Sequence, residues 1–242
     1  MRHIPLIIAL LSWLILGQHL AAQIVQENTI DGQQNLEAIS NGDLNGIART
    51  YNNRYQGIQG SPYWLDTWYE GRIFLSKDTI QTTVKYDGYA DELVMRNRAG
   101  DSVLAAKVAV KGFEILQNNK VYYFSKFDQS YMLEGQKLRP TYLRILVTGT
   151  HTIGIRHGKR LLPADYQGAY NANRPYDQLI DEQSYYYIHT TELQKFKPNK
   201  KQVLALLSGE TQTAAERFIK AEKLSFNNDE DLIRLFEYLN AL

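Results

Sequence analysis

Two tryptophans and a carboxylate lie close together in the stretch from Gly60 to Trp68, which reads "GSPYWLDTW". If this stretch runs extended, Trp64, Asp66 and Trp68 share one face. Aromatic rings and polar groups that converge in this way are typical of ligand-binding sites. Tyr69 adds a further ring, so the predicted ligand-binding residues are Trp64, Asp66, Trp68 and Tyr69. The competing interpretation is that the stretch marks the point where the chain enters its core.

Histidines offer a second kind of chemistry. Beyond the N-terminal segment they are His151, His157 and His189. A hydrolase would need one of them between a nucleophile and an orienting acid, for which Asp165 and Asp177 are available. The Gly-x-Ser-x-Gly elbow of such enzymes is absent. The spacing His-x5-His is not a zinc motif, and the chain has no cysteine. We therefore predict no catalytic residue and no metal ligand.

Acidic residues beside aromatic ones keep a carbohydrate function open. They are Asp66, Glu70, Asp91 and Glu92, and a glycosidase would need two of them facing each other across a sugar. The sequence does not give that separation, and the segment around Asp91 also fits a turn before a strand. Phosphate-binding and dinucleotide-binding motifs are missing, so no cofactor is predicted.

The N-terminus has the layout of a secretory signal peptide. Positive residues at positions 2 and 3 precede an apolar run from Ile4 to Leu16, and small residues follow at Ala21 and Ala22. We expect cleavage near Ala22 and export to the periplasm or the exterior. An uncleaved membrane anchor is the alternative, but the run is short for a span of about 20 residues.

Composition narrows the classes of partner. The 242-residue chain has 27 basic and 26 acidic residues, and removal of the segment containing Arg2 leaves a mature chain of zero formal net charge. A nucleic-acid-binding protein usually has a basic excess, so we expect no nucleic-acid partner. No later segment is long and apolar enough for a transmembrane helix, and none is expected in the mature chain.

The pattern of strands and turns predicts the organisation of the rest. Residues 23–59 are a polar lead-in with one short helix, and residues 60–198 contain short β-rich runs separated by turns every 8–12 residues. Within these, 102–116 is one run interrupted by a turn or bulge at Gly112, and 163–183 is a loop. Ile80, Thr82, Val84 and Tyr86 alternate onto one face.

The last part of the chain, 199–242, has helical periodicity. We predict a short helix closed by Gly209, a second beginning at Thr213 with a capping box, and a third capped by Asn228. Leu232, Leu235, Phe236 and Leu239 recur at helical steps and form a core-facing stripe. The predicted fold is α+β: a predominantly antiparallel β-sheet, open or barrel-like, with a C-terminal helical bundle packed on it.

Three segments together resemble a known group of proteins. They are "GSPYWLDTWYEGRIFL" (60–75), "VKYDGYADELVMR" (84–96) and "AAERFIKAEKLSFNNDEDLIRLFEYLNAL" (214–242). The chain is similar to a family of uncharacterised exported proteins common in Bacteroidota. Those proteins combine a Gly-[Ser/Thr]-Pro-Tyr segment, a Tyr-x-x-Tyr-x-[Asp/Asn]-Glu turn and a helical tail. The resemblance implies a compartment and an architecture, and it implies no reaction.

The expected function follows from these points. The chain is predicted to be an exported cell-envelope protein that binds an envelope protein or a glycan and has no catalytic role. The alternative is a carbohydrate-binding or carbohydrate-active protein that uses the face around Trp64 and Trp68.

Overall fold

Twelve strands and three helices make up the described part of the chain. The computed structural model describes residues 54–165 and 174–242. The predicted signal peptide and nearly all of the predicted lead-in lie outside these residues. The strands are β1 (Tyr69–Phe74), β2 (Thr79–Asp87), β3 (Glu92–Arg96), β4 (Ser102–Leu104), β5 (Gly112–Gln117), β6 (Lys120–Phe127), β7 (Met132–Leu133), β8 (Gln136–Lys137), β9 (Thr141–Val147), β10 (Thr152–Leu162), β11 (Gln178–His189) and β12 (Glu192–Phe196).

All twelve strands belong to one sheet, in the order β4-β3-β2-β1-β5-β6-β9-β10-β11-β12-β7-β8. Neighbours are antiparallel except β12 and β7, which run parallel through Glu192 opposite Met132 and Leu193 opposite Leu133. The α+β class is confirmed at this level, and the sheet is mixed rather than wholly antiparallel. The parallel pair was not predicted, because β7 has only two residues and carries no alternation to detect.

The sheet is strongly curled. Side chains of alternate residues form one face, called here the inner face, which includes Tyr86 on β2, Phe113 on β5, Phe124 on β6 and Tyr142 on β9. Four strand spacings of about 4.8 Å would place β2 and β9 roughly 19 Å apart in a flat sheet. The rings of Tyr86 and Tyr142 are instead 6.2 Å apart. The inner face is therefore concave, and its rings meet across the curve.

A segment before β1 spans two distant strands. This segment, called the strap, comprises residues 58–64. Gln59 donates its N–H to the carbonyl of Asp177 and accepts from the N–H of Leu179, both at 2.8 Å. At its other end the Trp64 N–H donates to the carbonyl of Tyr86 at 2.9 Å. The strap thus connects β2 with β11.

The three helices cover the inner face of the sheet's second half. They are α1 (Lys200–Ala205), α2 (Gly209–Glu222) and α3 (Asp229–Asn240). The predicted stripe on α3 is buried, and it packs with Val147, Ile153 and Tyr187 of the sheet. The side chain of Asn228 accepts the Asp231 N–H, as the predicted N-cap requires. A helical bundle with a core of its own is not confirmed, because the helices share their core with the strands.

Two predicted helix ends are wrong. Gly209, predicted to close the first helix, is the first residue of α2, and Ser208 is its N-cap. Thr213 therefore lies inside α2, where its hydroxyl donates to the carbonyl of Gly209 at 3.2 Å. Glycine suits the position because its φ is +57°, a conformation that side chains disfavour.

Two strand predictions also need correction. The run 102–116 is divided by residues 105–111, and Gly112 begins β5 rather than forming a turn or bulge. The predicted loop 163–183 is shorter, because β11 begins at Gln178. Asp181 and Glu182 are therefore strand residues, and Lys159 on β10 pairs with Asp181 at 2.7 Å.

No helix among residues 54–165 and 174–242 is both long enough and apolar enough to cross a membrane.

Candidate ligand-binding cleft

Trp64 lies on the inner face of the sheet. Its ring is 5.1 Å from Tyr122, 5.2 Å from Phe124 and 4.8 Å from His157. The Arg144 guanidinium lies 6.0 Å from the same ring. These contacts give the ring a packing role, because it fills the concave side of the curled sheet between β6 and β10.

Trp68 belongs to a separate, cationic environment. The Arg96 guanidinium lies 4.5 Å from its ring and the Lys85 ammonium 5.6 Å, both within cation–π range. Burial lowers the pKa of Lys85, and the nearby carboxylate of Asp66 partly opposes this effect. The side chain of Asp66 is itself exposed.

The four predicted site residues do not form one surface in the way the sequence suggested. Residues 64–67 are bends rather than an extended strand, so the alternation that would place Trp64, Asp66 and Trp68 on one face does not apply. Tyr69 begins β1, and its hydroxyl accepts from the Gln117 side chain at 3.1 Å. Whether these residues bind a ligand remains a prediction.

Two of the four acids considered for glycosidase chemistry, Asp91 and Glu92, form ion pairs within the protein. Asp91 is buried, and its carboxylate accepts from the Tyr86 hydroxyl at 2.7 Å and pairs with the Lys107 ammonium at 2.8 Å. Glu92 pairs with Arg54 at 2.6 Å. Asp177, considered as the orienting acid of a hydrolase, accepts from the backbone N–H of Ala164 at 2.7 Å. These contacts give the acids a structural role, because they hold turns and the ends of loops against the sheet.

The three histidines occupy different surroundings. His157 is 5 % exposed, between the rings of Trp64 and Phe124. His151 lies near the end of β11, where its Nδ1 is 2.8 Å from the Tyr187 hydroxyl. His189 is exposed beyond Tyr187, and the two rings are parallel at 6.2 Å. His151 and His189 therefore belong to one site, and His157 does not.

That site is a cleft of about 650 Å³. The β7–β8 hairpin, the ends of β11 and β12, the turn before β10 and the α1–α2 junction form its walls. Its size falls in the range of small-molecule sites. The lining residues are Met132, Glu134, Gly135, His151, Tyr187, His189, Glu192, Leu193, Gln194, Lys195, Leu206, Leu207, Ser208 and Thr211.

The open edge of β12 runs along this cleft. Thr191 accepts the Met132 N–H at 2.8 Å, and the Lys197 N–H donates to the Gln202 side chain at 2.6 Å. Backbone groups of alternate residues point to the same edge of a strand, so the N–H and C=O of Lys195 share this edge. β7 pairs only with residues 192 and 193. Beyond Leu193, no strand of the described chain pairs with this edge.

Side chains from both faces of β12 reach the cleft, which therefore wraps around the strand edge. Gln194 lies opposite Tyr187 and shares the helix-covered face, whereas Leu193 packs on the other face with Ile188. The apolar residues Met132, Leu206 and Leu207 lie beside the charged residues Glu134 and Glu192 in the lining. The cleft thus offers main-chain groups, apolar contacts and charges of both signs.

Electrostatics favour a neutral His151 in the cleft. Burial lowers its pKa, and the nearby His189 lowers it further. Asn240, the last residue of α3, fixes the His151 backbone: its Oδ1 accepts the His151 N–H at 2.8 Å and its Nδ2 donates to the His151 carbonyl at 2.9 Å. The C-terminal helix therefore positions one wall of the cleft.

The sequence analysis named both histidines of the cleft, but it did not predict that they lie in the same site. Two signals were present in the sequence. His151 follows a Gly149-containing turn, and His189 ends a strand just before the turn residues Thr190 and Thr191. Both signals place a histidine at a strand end. Neither shows that β7 and the α1–α2 junction lie beside those ends.

Comparison with family models, with curated proteins and with solved structures finds no match to this chain. The resemblance to exported Bacteroidota proteins therefore stays a prediction. Within residues 54–165 and 174–242, no group of three or more His, Asp or Glu side chains could hold a metal ion.

Proposed function

We propose that this protein is an exported, non-catalytic binding protein that takes an extended peptide segment of a partner into the cleft beside β12. The observation that carries the proposal is the unpaired edge of β12 at Lys195, which opens into a cavity of about 650 Å³. An unpaired edge is a ready template for another strand. Addition of a peptide strand to such an edge is a recurring mode of recognition.

The lining of the cleft supports a peptide as the occupant. Main-chain bonds to Lys195 would hold any extended peptide, while the side chains on either side of the edge would select its sequence. Met132, Leu206 and Leu207 suit an apolar anchor, and Glu134, Glu192 and Lys195 suit flanking charges of either sign. Export of the protein remains part of the proposal and rests on the N-terminal segment 1–22.

The test removes the backbone donor of the edge, and a control variant accounts for the side chain that is lost with it. Residues 23–242 are used to select binders from a displayed library of random decapeptides, and the affinity of a selected, labelled peptide is measured by fluorescence anisotropy. Lys195→Pro deletes the N–H donor at an edge position that tolerates proline. Lys195→Ala is the control, because it keeps the N–H and removes the side chain. We expect a loss of at least tenfold for Lys195→Pro and less than threefold for Lys195→Ala.

N-methylation of the peptide provides a second readout. Methylation of alternate residues should weaken binding for one set of positions only, since only every second residue of an added strand faces β12. Equal affinity for both protein variants, or equal tolerance at all peptide positions, would show that the edge is not the binding element. Thermal melting of both variants confirms that they are folded.

The carbohydrate alternative around Trp64 and Trp68 has weaker support. Trp64 packs against three inner rings, and the ring of Trp68 is within reach of two cations. Sugar stacking would have to use the remaining exposed part of Trp68. A saturable tryptophan-fluorescence response to an envelope polysaccharide, lost in Trp68→Ala and kept in Lys195→Pro, would support this alternative over the peptide proposal.

A further inference from the structure

Three lysines converge on a second cavity, which shares no lining residue with the cleft beside β12. The cavity has a volume of about 460 Å³ and lies between the segment 105–111, the end of β6 and Pro140. Its lining contains Lys107, Lys111 and Lys126 but a single acid, Asp128. This is a concentration of positive charge in a chain whose basic and acidic residues are nearly balanced.

Two of the ammonium groups are held in place by the fold. Lys126 donates to the carbonyls of Lys107 at 2.8 Å and Val108 at 3.1 Å. Lys107 donates to the carbonyl oxygen of Asp91 at 2.7 Å and to its carboxylate at 2.8 Å. An ammonium has three N–H donors, so Lys126 has one left after its two carbonyl bonds. The third lysine, Lys111, is exposed at the cavity.

Positive charge in the cavity is only partly offset. Asp128 accepts from the Ser130 N–H at 3.0 Å and from the Ser130 hydroxyl at 2.7 Å. These bonds lower the pKa of Asp128, so its carboxylate is ionised and its single negative charge offsets part of the charge of Lys111 and Lys126. Burial lowers the pKa of Lys126, and the positive charge of Lys111 lowers it further, while the carboxylate of Asp128 opposes this effect. Lys111 and Lys126 therefore repel each other across the cavity, and an anion between them would relieve this repulsion.

We propose that this cavity is an anion site that binds a phosphate group, held mainly by Lys111 and Lys126. A phosphate carries up to two negative charges near neutral pH, and lysine binds it as a point charge. The phosphate could be free or belong to a phospholipid headgroup. Val108, which is 67 % exposed beside the lysines, would be compatible with either source.

The experiment has two arms, both with residues 23–242. In the first, inorganic phosphate is titrated at constant ionic strength and binding is followed by calorimetry. In the second, vesicles of phosphatidylcholine with and without phosphatidic acid are tested by co-sedimentation. The variants are Lys111→Gln, which removes an exposed cation of the cavity, and Lys201→Gln, an exposed lysine on α1 outside it.

We expect saturable binding in at least one arm, weakened at least tenfold by Lys111→Gln and unchanged by Lys201→Gln. Binding of inorganic phosphate identifies a site for the free anion, whereas binding only to vesicles with phosphatidic acid identifies a headgroup site. Absence of saturable binding in both arms, or equal weakening by both variants, would overturn the proposal. Neither result bears on the peptide cleft, which shares no residue with this cavity.

Discussion

His157 is a histidine that the fold keeps neutral. Burial lowers its pKa to about 3, and the positive charges of Arg144 and Lys159 act in the same direction. Its Nδ1 is 3.5 Å from the Gln183 side chain, and its Nε2 has no hydrogen-bond partner in the part of the chain that the structure describes. The spacing of His151 and His157 predicts a shared strand face. It does not reveal that Trp64, from a segment far earlier in the chain, covers one of them.

This buried histidine predicts a pH dependence of stability. The pKa of this histidine is lower in the folded state than its usual value of about 6.5. As the pH falls, the unfolded state therefore takes up the proton at a higher pH than the folded state does. The free energy of unfolding is therefore unaffected by His157 above about pH 6.5. It falls as the pH drops from there towards the folded-state value of about 3. The maximum slope is about 1.4 kcal/mol per pH unit for one proton.

Urea unfolding of wild type and His157→Phe at pH 7 and pH 5 measures this contribution. We expect the variant to lose less stability between the two pH values than the wild type. At pH 7 it should be as stable or more stable, since it removes a buried ring nitrogen that has no hydrogen-bond partner among the described residues. Equal losses in both proteins would contradict a neutral, buried His157.

At the scale of the elements, local patterns predicted the strands better than the ends of the helices. Alternation identified β2, and Tyr86 and Val84 are buried as it requires. The first part of β11, residues 178–183, was predicted as part of the loop 163–183 because it is polar and charged. The structure pairs that charge across the sheet, as in Lys159–Asp181. Glycine is common just after the last residue of a helix, so Gly209 was predicted to end one. In the structure it begins a helix, where its left-handed backbone conformation also favours glycine.

The contact between the strap and β11 gives a second stability prediction. Gly60 and Gly57 both have positive φ, +85° and +83°, so alanine is strained at either position. A Cβ at Gly60 would also collide with the backbone carbonyl of Leu179, whereas one at Gly57 would meet nothing within 4 Å. We expect Gly60→Ala to lower the free energy of unfolding by about 2 kcal/mol more than Gly57→Ala.

Chemical denaturation of the two glycine variants tests this expectation, because the difference between them isolates the close approach of the strap to β11. Similar losses in both variants would mean that the strap can move away from β11 at little cost. A larger loss in Gly57→Ala would contradict the described packing.

At the scale of the whole molecule, the cleft depends on contacts that no local pattern encodes. Its walls come from the hairpin at 132–135, the turn at 149–151, the strand ends around 187–195 and the helix junction at 206–211. The parallel pairing of β12 with β7 brings the hairpin and the strand ends together. Composition and periodicity could predict the strands that form this site but not their adjacency.

The strap also constrains the order in which the protein can fold. Its residues are synthesised before β1, yet Gln59 pairs beside Gln178, at the start of β11. Contacts between residues far apart in the chain carry a loop-closure cost and form slowly. In the growing chain the N-terminal end of the strap therefore has no partner until β11 has been made, and a polypeptide that ends before β11 would be a substrate for chaperones or proteases.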